Sequence, residues 1–481
     1  MSRNAASHDT TPCPGCAAPV LSRRDFLARA HMGFGALALA GLSQQWALAA
    51  KPNRPAHFAP RAKRVIFLFM DGGVSHVDSF DPKPALDKQH GQPAKWRPDA
   101  LSQAISANRK WLKSPWPFRQ HGQSGLWVSE LFPNLARVAD ELCVVRSMVG
   151  EVPLHGAQSL LLHTGRAAAA APSIGSWISY GLGTENEQLP GYVVLNNDWI
   201  PNGGFQNFAS SFLPATHQAA MVRAKGTPVD NIHPADSMAV QQAKLDFLRS
   251  QDSAFARSQG DSAVIESAIA NYQTAAHMQS LVPRLCDIAG ESVDTLEMYG
   301  LKRANDFDTS YALQCLRARR LIEAGVRFVE ITCPNTHGNN SPWDQHGQLK
   351  LRHAENARIT DQPIAALITD LKMRGLLDET LILWAGEMGR TPHSAGDDGR
   401  DHHVSGYTIW MAGGGIRGGM TYGNTDEMGM SATEQPLDIH DIHATILHQL
   451  GVDHERLTFR FGGRDMRLTD VHGKVIRALL A

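Results

Sequence analysis

The chain has 481 residues, 43% of them hydrophobic and 19% charged, with a formal net charge of −1. That length buries one large core or two ordinary ones, and the composition is that of a folded globular protein. A near-neutral balance without a Lys/Arg cluster argues against a nucleic-acid partner. The 22 histidines, many in loops beside Asp or Gly, point to metal binding or acid–base work.

At the N-terminus, Arg23-Arg24 precede Phe26-Leu27, the weakly apolar run GFGALALAGL and the small-residue pattern Ala47-Leu48-Ala49. Residues 1–49 are therefore expected to be a twin-arginine (Tat) signal peptide, read by the Tat export machinery and cleaved on the way to the periplasm. The apolar run is shorter than the roughly 20 residues a bilayer span needs, and no later segment is longer, so no stable span is expected after processing. Cys13 and Cys16 leave with this segment. Cys143 and Cys333 lie in apolar, strand-like runs that suit buried thiols. Pairing among Cys143, Cys286, Cys315 and Cys333 stays open.

A Pro/Lys/Arg linker (50–63) leads into RVIFLFMDGG, a continuous apolar run that reads as a central parallel strand ending at Asp71. SELFPNLARVADEL has helical spacing and feeds CVVRSM, a second strand; GYVVLN is a third. The helix SYALQCLRARRLIEAGV feeds RFVEIT, and the helix DQPIAALITDLKMRGLLDE feeds TLILWAG. YTIWMAGGG is a sixth strand, and DIHDIHATILHQLGV a last helix. This alternation predicts an α/β fold: a doubly wound, mostly parallel sheet with helices on both faces. Residues 197–305 break the alternation, first loop-rich, then helical and Ala/Gln/Ser-rich, and read as an insertion over the sheet edge or the site.

Polar groups collect at the predicted carboxyl ends of the strands. Asp71 follows the first, with His76, Asp78 and Asp81 close behind in sequence. Asp344 and His346 follow the fourth, in SPWDQHGQ. Glu387 follows the fifth, and Asp401, His402 and His403 close the loop after it. Asp, Glu and His together are the ligand set of zinc and related divalent ions. GGGIRGG lacks the Lys-Ser/Thr of a phosphate-binding loop and reads as a tight turn. His440 and His443, three residues apart, would share a helix face near the site.

The segments RVIFLFMDGGVSHVDSFDPKP, PWDQHG, TLILWAGEMGRTP, GRDHH and GYTIWMAGGGIRGG, with SIGSW and the C-terminal FGGRDMRLTDVHGKVI, resemble the DUF1501 family. That family is grouped with the alkaline phosphatase and sulfatase superfamily, so the resemblance implies an alkaline phosphatase-like fold over residues 64–481. It also implies a divalent metal cofactor (zinc, calcium or manganese) held by Asp71, Asp344, His346, Glu387 and His402 or His403. Superfamily enzymes bind two ions; here Glu387-Met388 stands where they show an Asp-His pair. Their Cys, Ser or Thr nucleophile lies about ten residues before a TG, and LHGAQSLLLHTG places His155 there. The imidazole would form a phospho-histidine, act as general acid or base, or ligate metal. Arg390 and Arg400 would hold an anionic ester oxygen.

The implied activity is metal-dependent hydrolysis of phosphate or sulfate esters, on a small-molecule or glycan ester, by an exported protein. The chain lacks the C/S-x-P/A-x-R context that formylglycine sulfatases need at this position. The competing reading is a non-catalytic protein that keeps the scaffold to hold a metal or an anionic glycan. Replacing Arg23-Arg24 by Lys-Lys is expected to leave the precursor unprocessed in the cytoplasm; normal processing and periplasmic recovery in a fractionation experiment would contradict the Tat assignment.

Overall fold

The computed structural model describes residues 56–94, 109–167, 170–233, 235–258, 263–302, 309–338 and 341–481. The expected signal peptide and residues 50–55 of the linker lie outside them. Residues 56–63 are tied to the fold through their backbone: the amides of His57 and Ala62 bond the carbonyls of Gly451 and Gln449.

Eight strands form the central sheet: β1 (Arg64–Phe69), β2 (Leu142–Met148), β3 (Tyr192–Asn196), β4 (Ala220–Arg223), β5 (Phe328–Thr332), β6 (Thr380–Ala385), β9 (Tyr407–Ala412) and β10 (Met420–Tyr422). Between β6 and β9, β7 (Gly389–Ala395) and β8 (Gly399–His403) form a separate antiparallel hairpin. The order across the sheet is β10-β2-β9-β6-β1-β5-β3-β4. Strand β1 is central and parallel to both neighbours, with Leu68 level with Ile331 and Trp384. Only β9 opposes its neighbours β2 and β6. A parallel return needs a crossover, usually helical; here a hairpin connects β6 to β9, so the chain comes back antiparallel.

Alternation along β1 sorts its side chains into two layers. Ile66 and Leu68 join a core with Tyr311 and Leu316 of α5 (Ser310–Glu323) and Ile364 and Leu367 of α6 (Leu349–Met373). Val65, Phe67 and Phe69 join a second core with Leu161 of α1 (His155–Thr164), Trp177 of α2 (Ile174–Leu182) and Ile442 of α7 (Ile439–Gln449). Helices thus cover both faces of a mostly parallel sheet, the architecture expected from the alternating strands and helices.

Some element boundaries differ. Helix α6 starts at Leu349, with Pro363 inside it, whereas the pattern suggested a start near Asp361. SELFPNLARVADEL ends a short strand (Leu126–Ser129) and then forms a 3-10 helix, Leu135–Glu141, broken at Val138. The Asp361 carboxylate takes the amides of Asn134 and Leu135 at its start. Between 197 and 305 the chain also contributes the edge strand β4, ahead of α3 (Met238–Ser258) and α4 (Ala263–Cys286). All four cysteines from Cys143 to Cys333 are buried free thiols. Among the described residues no helix is long and apolar enough to cross a membrane.

Trp384 of β6 is buried, stacked on Trp410 of β9 at 5.8 Å and edge-on to Phe80 at 5.6 Å. Trp384→Ala is expected to cost about 3–5 kcal/mol, read as a lower midpoint in urea unfolding; a loss below about 1 kcal/mol would contradict this packing.

Candidate metal centre at the carboxyl edge of the sheet

Because β1, β3, β5 and β6 run the same way, the segments leaving them meet at one edge. Asp71 leaves β1, Trp199 follows β3, Asp344 follows β5 and Glu387 leaves β6. Helix α1 presents His155 at its first turn. The hairpin lays Arg390 on β7 and His402 on β8 over the same edge. Gly72 lets these segments close up: its φ is +104°, and a Cβ there would stand 2.7 Å from the Asp344 amide nitrogen.

The Glu387 carboxylate accepts the Gly72 amide at 3.0 Å on each oxygen and faces His155 Nδ1 at 2.5 Å. A carboxylate can only accept here, so Nδ1 of His155 carries a proton, and Nε2 is the nitrogen that takes either a second proton or a metal ion. His402 repeats the logic: its Nδ1 lies 2.8 Å from the Pro153 carbonyl, which also only accepts. Both tautomers follow from these partners. Nε2 of His155 and Nε2 of His402 each lie 3.3 Å from Asp344 Oδ1. His155, Asp344 and His402 offer one ligand atom each, all within 4.8 Å of one another. His346 stands at the margin, Nε2 3.0 Å from Asp344 Oδ1 and 3.1 Å from His402 Nε2, with Nδ1 3.5 Å from Asp401 Oδ1. Two imidazole nitrogens and a carboxylate oxygen with tautomers held from behind fit a divalent ion such as zinc.

Burial opposes charge on Asp344, yet His155, His346, His402 and Arg390 around it prevail and hold its carboxyl well below the usual range. Burial likewise opposes a charged His155, but its contacts with Asp344 and Glu387 raise its pKa to about 9. A metal ion bound through this nitrogen would therefore compete with a proton.

The other expected site residues have different surroundings. Asp71 is buried, with Oδ2 accepting from Trp199 Nε1 at 2.9 Å and Oδ1 from Ser341 Oγ at 3.2 Å. It is not among the three groups whose ligand atoms converge. His403 follows His402 on a strand, so it faces the other way; it is buried and stacks on His76 at 5.9 Å.

Neither arginine is open to an ester oxygen. Arg390 is buried, with Nε bonded to the carbonyls of Gly72 and Gly73 and Nη2 2.7 Å from Asp344 Oδ1. Arg400 forks onto Asp78 at 2.6 and 3.0 Å and also bonds the Thr391 and Leu112 carbonyls. His440 and His443 sit at the far end of α1 from His155, bonded to the carbonyls of Gly165 and Leu162. Ser159, one turn into α1, is buried and its hydroxyl bonds Asn207 at 3.3 Å.

Trp199, Ser341 and the Pro153 carbonyl went unrecognised in the sequence. Trp199 stands at the end of a predicted strand, which was a usable signal; a backbone carbonyl leaves none.

Burial and then the Glu387 charge raise the pKa of Asp71 from 3.8 to about 7, against the lowering by Trp199 and Ser341. The folded state therefore binds more protons than the unfolded chain between those values, and stability falls as pH rises through that window. Asp71→Asn keeps an acceptor without the charge. In the metal-free protein its stabilising effect is expected to be larger at pH 8 than at pH 5, by roughly 2 kcal/mol. Urea midpoints at the two pH values check this; an equal effect at both would contradict it.

A search of curated proteins gave no match. Solved structures are similar at low identity. The PsFucS1 sulfatase from Pseudoalteromonas sp. has a TM-score of 0.36 at 13% identity, over 88% of this chain and 72% of that one. A phosphonate monoester hydrolase from Silicibacter pomeroyi has a TM-score of 0.35 at 12% identity, over 81% and 73%. A protein in the alkaline phosphatase superfamily from Vibrio parahaemolyticus has a TM-score of 0.32 at 10% identity, over 88% and 76%. The family model described as "Protein of unknown function (DUF1501)" matches residues 62–480, and the chain belongs to that family.

Proposed function

We propose that this protein is an exported, metal-dependent hydrolase of phosphate or sulfate esters, with one divalent ion held by His155, Asp344 and His402. The observation that carries the reading is the convergence of two imidazole Nε2 atoms and one carboxylate oxygen, each imidazole tautomer set by an acceptor behind it. A bound ion would supply Lewis-acid polarisation of the ester and a water made acidic enough to attack near neutral pH.

The chain's own groups prepare that chemistry. Glu387 keeps the proton of His155 on Nδ1. Arg390 places a fixed positive charge against Asp344 and offsets part of the carboxylate charge that would repel an anionic ester. Burial and the Glu387 charge raise the pKa of Asp71 in the metal-free chain. His155 stands where relatives in the superfamily carry a hydroxyl or thiol, and Ser159 is buried against Asn207, so water is the attacking group. His155 acts as a metal ligand in this reading. Export rests on the Tat-type N-terminus.

His155→Ala is expected to lower bound metal from about one ion per chain toward zero and to abolish turnover with the fold intact. Glu387→Gln, which removes the carboxylate behind the ligand, should weaken metal affinity about 10–100-fold. Metal analysis after chelation and reloading, with aryl phosphate, phosphodiester and aryl sulfate assays under zinc, calcium or manganese, checks both. Full metal content and unchanged turnover in His155→Ala would overturn the assignment. Metal uptake with no turnover on any class would favour the non-catalytic reading.

A further inference from the structure

The converging groups differ in exposure. His155 and Asp344 are nearly buried, while the His346 side chain is 46% exposed. Two large apolar side chains are exposed on segments that meet at the first turn of α1, which carries His155. Leu154 is 62% exposed, and it follows Pro153, whose carbonyl holds His402. Phe205 is 63% exposed on the short 3-10 helix Gly204–Phe208. Its loop lies against the start of α1, where a Cβ on Gly156 would stand 3.6 Å from the Gly203 amide. The loop is built, not merely adjacent. Trp199 Nε1 bonds Asp71, Asn202 Nδ2 bonds Ser341 Oγ at 2.6 Å, and Asn207 Nδ2 bonds the Asn202 carbonyl at 2.8 Å. The Trp199 indole is thereby held, half-buried, against Asp71.

Single exposed apolar residues need no explanation, but apolar groups bordering a cluster of ionisable ones are how small-molecule sites are lined. The rim segments EVPLHG (151–156) and DWIPNGGFQN (198–207) contain no Lys or Arg; apart from His155 their ionisable side chains are Glu151 and Asp198. Such a rim repels a polyanion and offers ring faces to a neutral group.

We propose that Leu154 and Phe205, with the Trp199 indole, form an apolar rim that takes the ring-bearing, uncharged organic group of the ester. The charged end of the same ester reaches the metal centre. The substrate class is an ester of a neutral ring-bearing alcohol, either a phenol or a sugar, and not a segment of a polysulfated chain. This rests on the ester-hydrolase reading above.

The test is calorimetric titration of the zinc-loaded protein with methylphosphonate, phenylphosphonate and the phosphonate analogue of glucose 6-phosphate. At least one ring ligand is expected to bind about tenfold or more tighter than methylphosphonate, and the ring preferred distinguishes aryl from sugar substrates. In Leu154→Ser/Phe205→Ser that preference should fall to about twofold or less, with zinc content and methylphosphonate affinity unchanged. Both positions are exposed, so the fold should tolerate the change. Equal affinities in the parent, or a preference that survives the double substitution, overturn the rim and leave the ester site standing wherever methylphosphonate still binds. Failure of a fully zinc-loaded protein to bind any of the three, and likewise methylsulfonate and phenylsulfonate, overturns the rim and the ester reading together.

Discussion

The negative charge on Asp344 Oδ1 organises the site. Arg390, His155, His346 and His402 all approach this one oxygen within 2.7–3.3 Å, from β7, from α1, from its own loop and from β8. Without that carboxylate, the Arg390 guanidinium and a protonated His155 would repel one another. Its position depends in turn on Gly72, whose missing side chain lets the Asp344 backbone approach the loop leaving β1. One glycine in a left-handed conformation therefore sets the distance between the first strand's exit and the residue about which the imidazoles gather.

A second requirement is orientation of the imidazoles. An imidazole that rotates freely offers metal or proton a lone pair only part of the time, whereas His155 and His402 each have one nitrogen committed to an acceptor. Those acceptors are a carboxylate on one side and a backbone carbonyl on the other, and the difference matters. Glu387 brings charge and strengthens His155 as a donor, while Pro153 brings only direction. The two ligands are thus inequivalent despite their common residue type.

The sheet was legible because β1, β3, β5 and β6 are buried on both faces and read as unbroken apolar runs. Their ends also pointed to Asp71, Asp344 and Glu387, since a parallel sheet gathers its exits at one edge. Side-chain direction beyond the strand ends was not legible. Arg390 and Arg400 look like anion ligands in a Gly-rich loop, yet that loop is a hairpin whose arginines turn inward to carbonyls and to Asp78. His402 and His403 could not be ranked while GRDHH was read as a loop; once it is a strand, alternation sends one to the metal centre and the other to His76. His440 and His443 shared a helix face as expected, but the face meets the carbonyl end of α1 rather than its amide end.

The hairpin also links the site to the sheet's one topological irregularity. A helix between β6 and the next strand would have restored parallel order and covered a face of the sheet. Instead, residues 389–403 fold back over the strand ends and supply Arg390, Arg400, Asp401 and His402. The chain then has no crossover available, and β9 enters the sheet from the site edge, antiparallel to β2 and β6. Reversal of β9 and delivery of His402 to Asp344 are two consequences of the same connection. Replacing that connection by a helical crossover would take the His402 imidazole away from Asp344, and with it one ligand of the proposed metal centre.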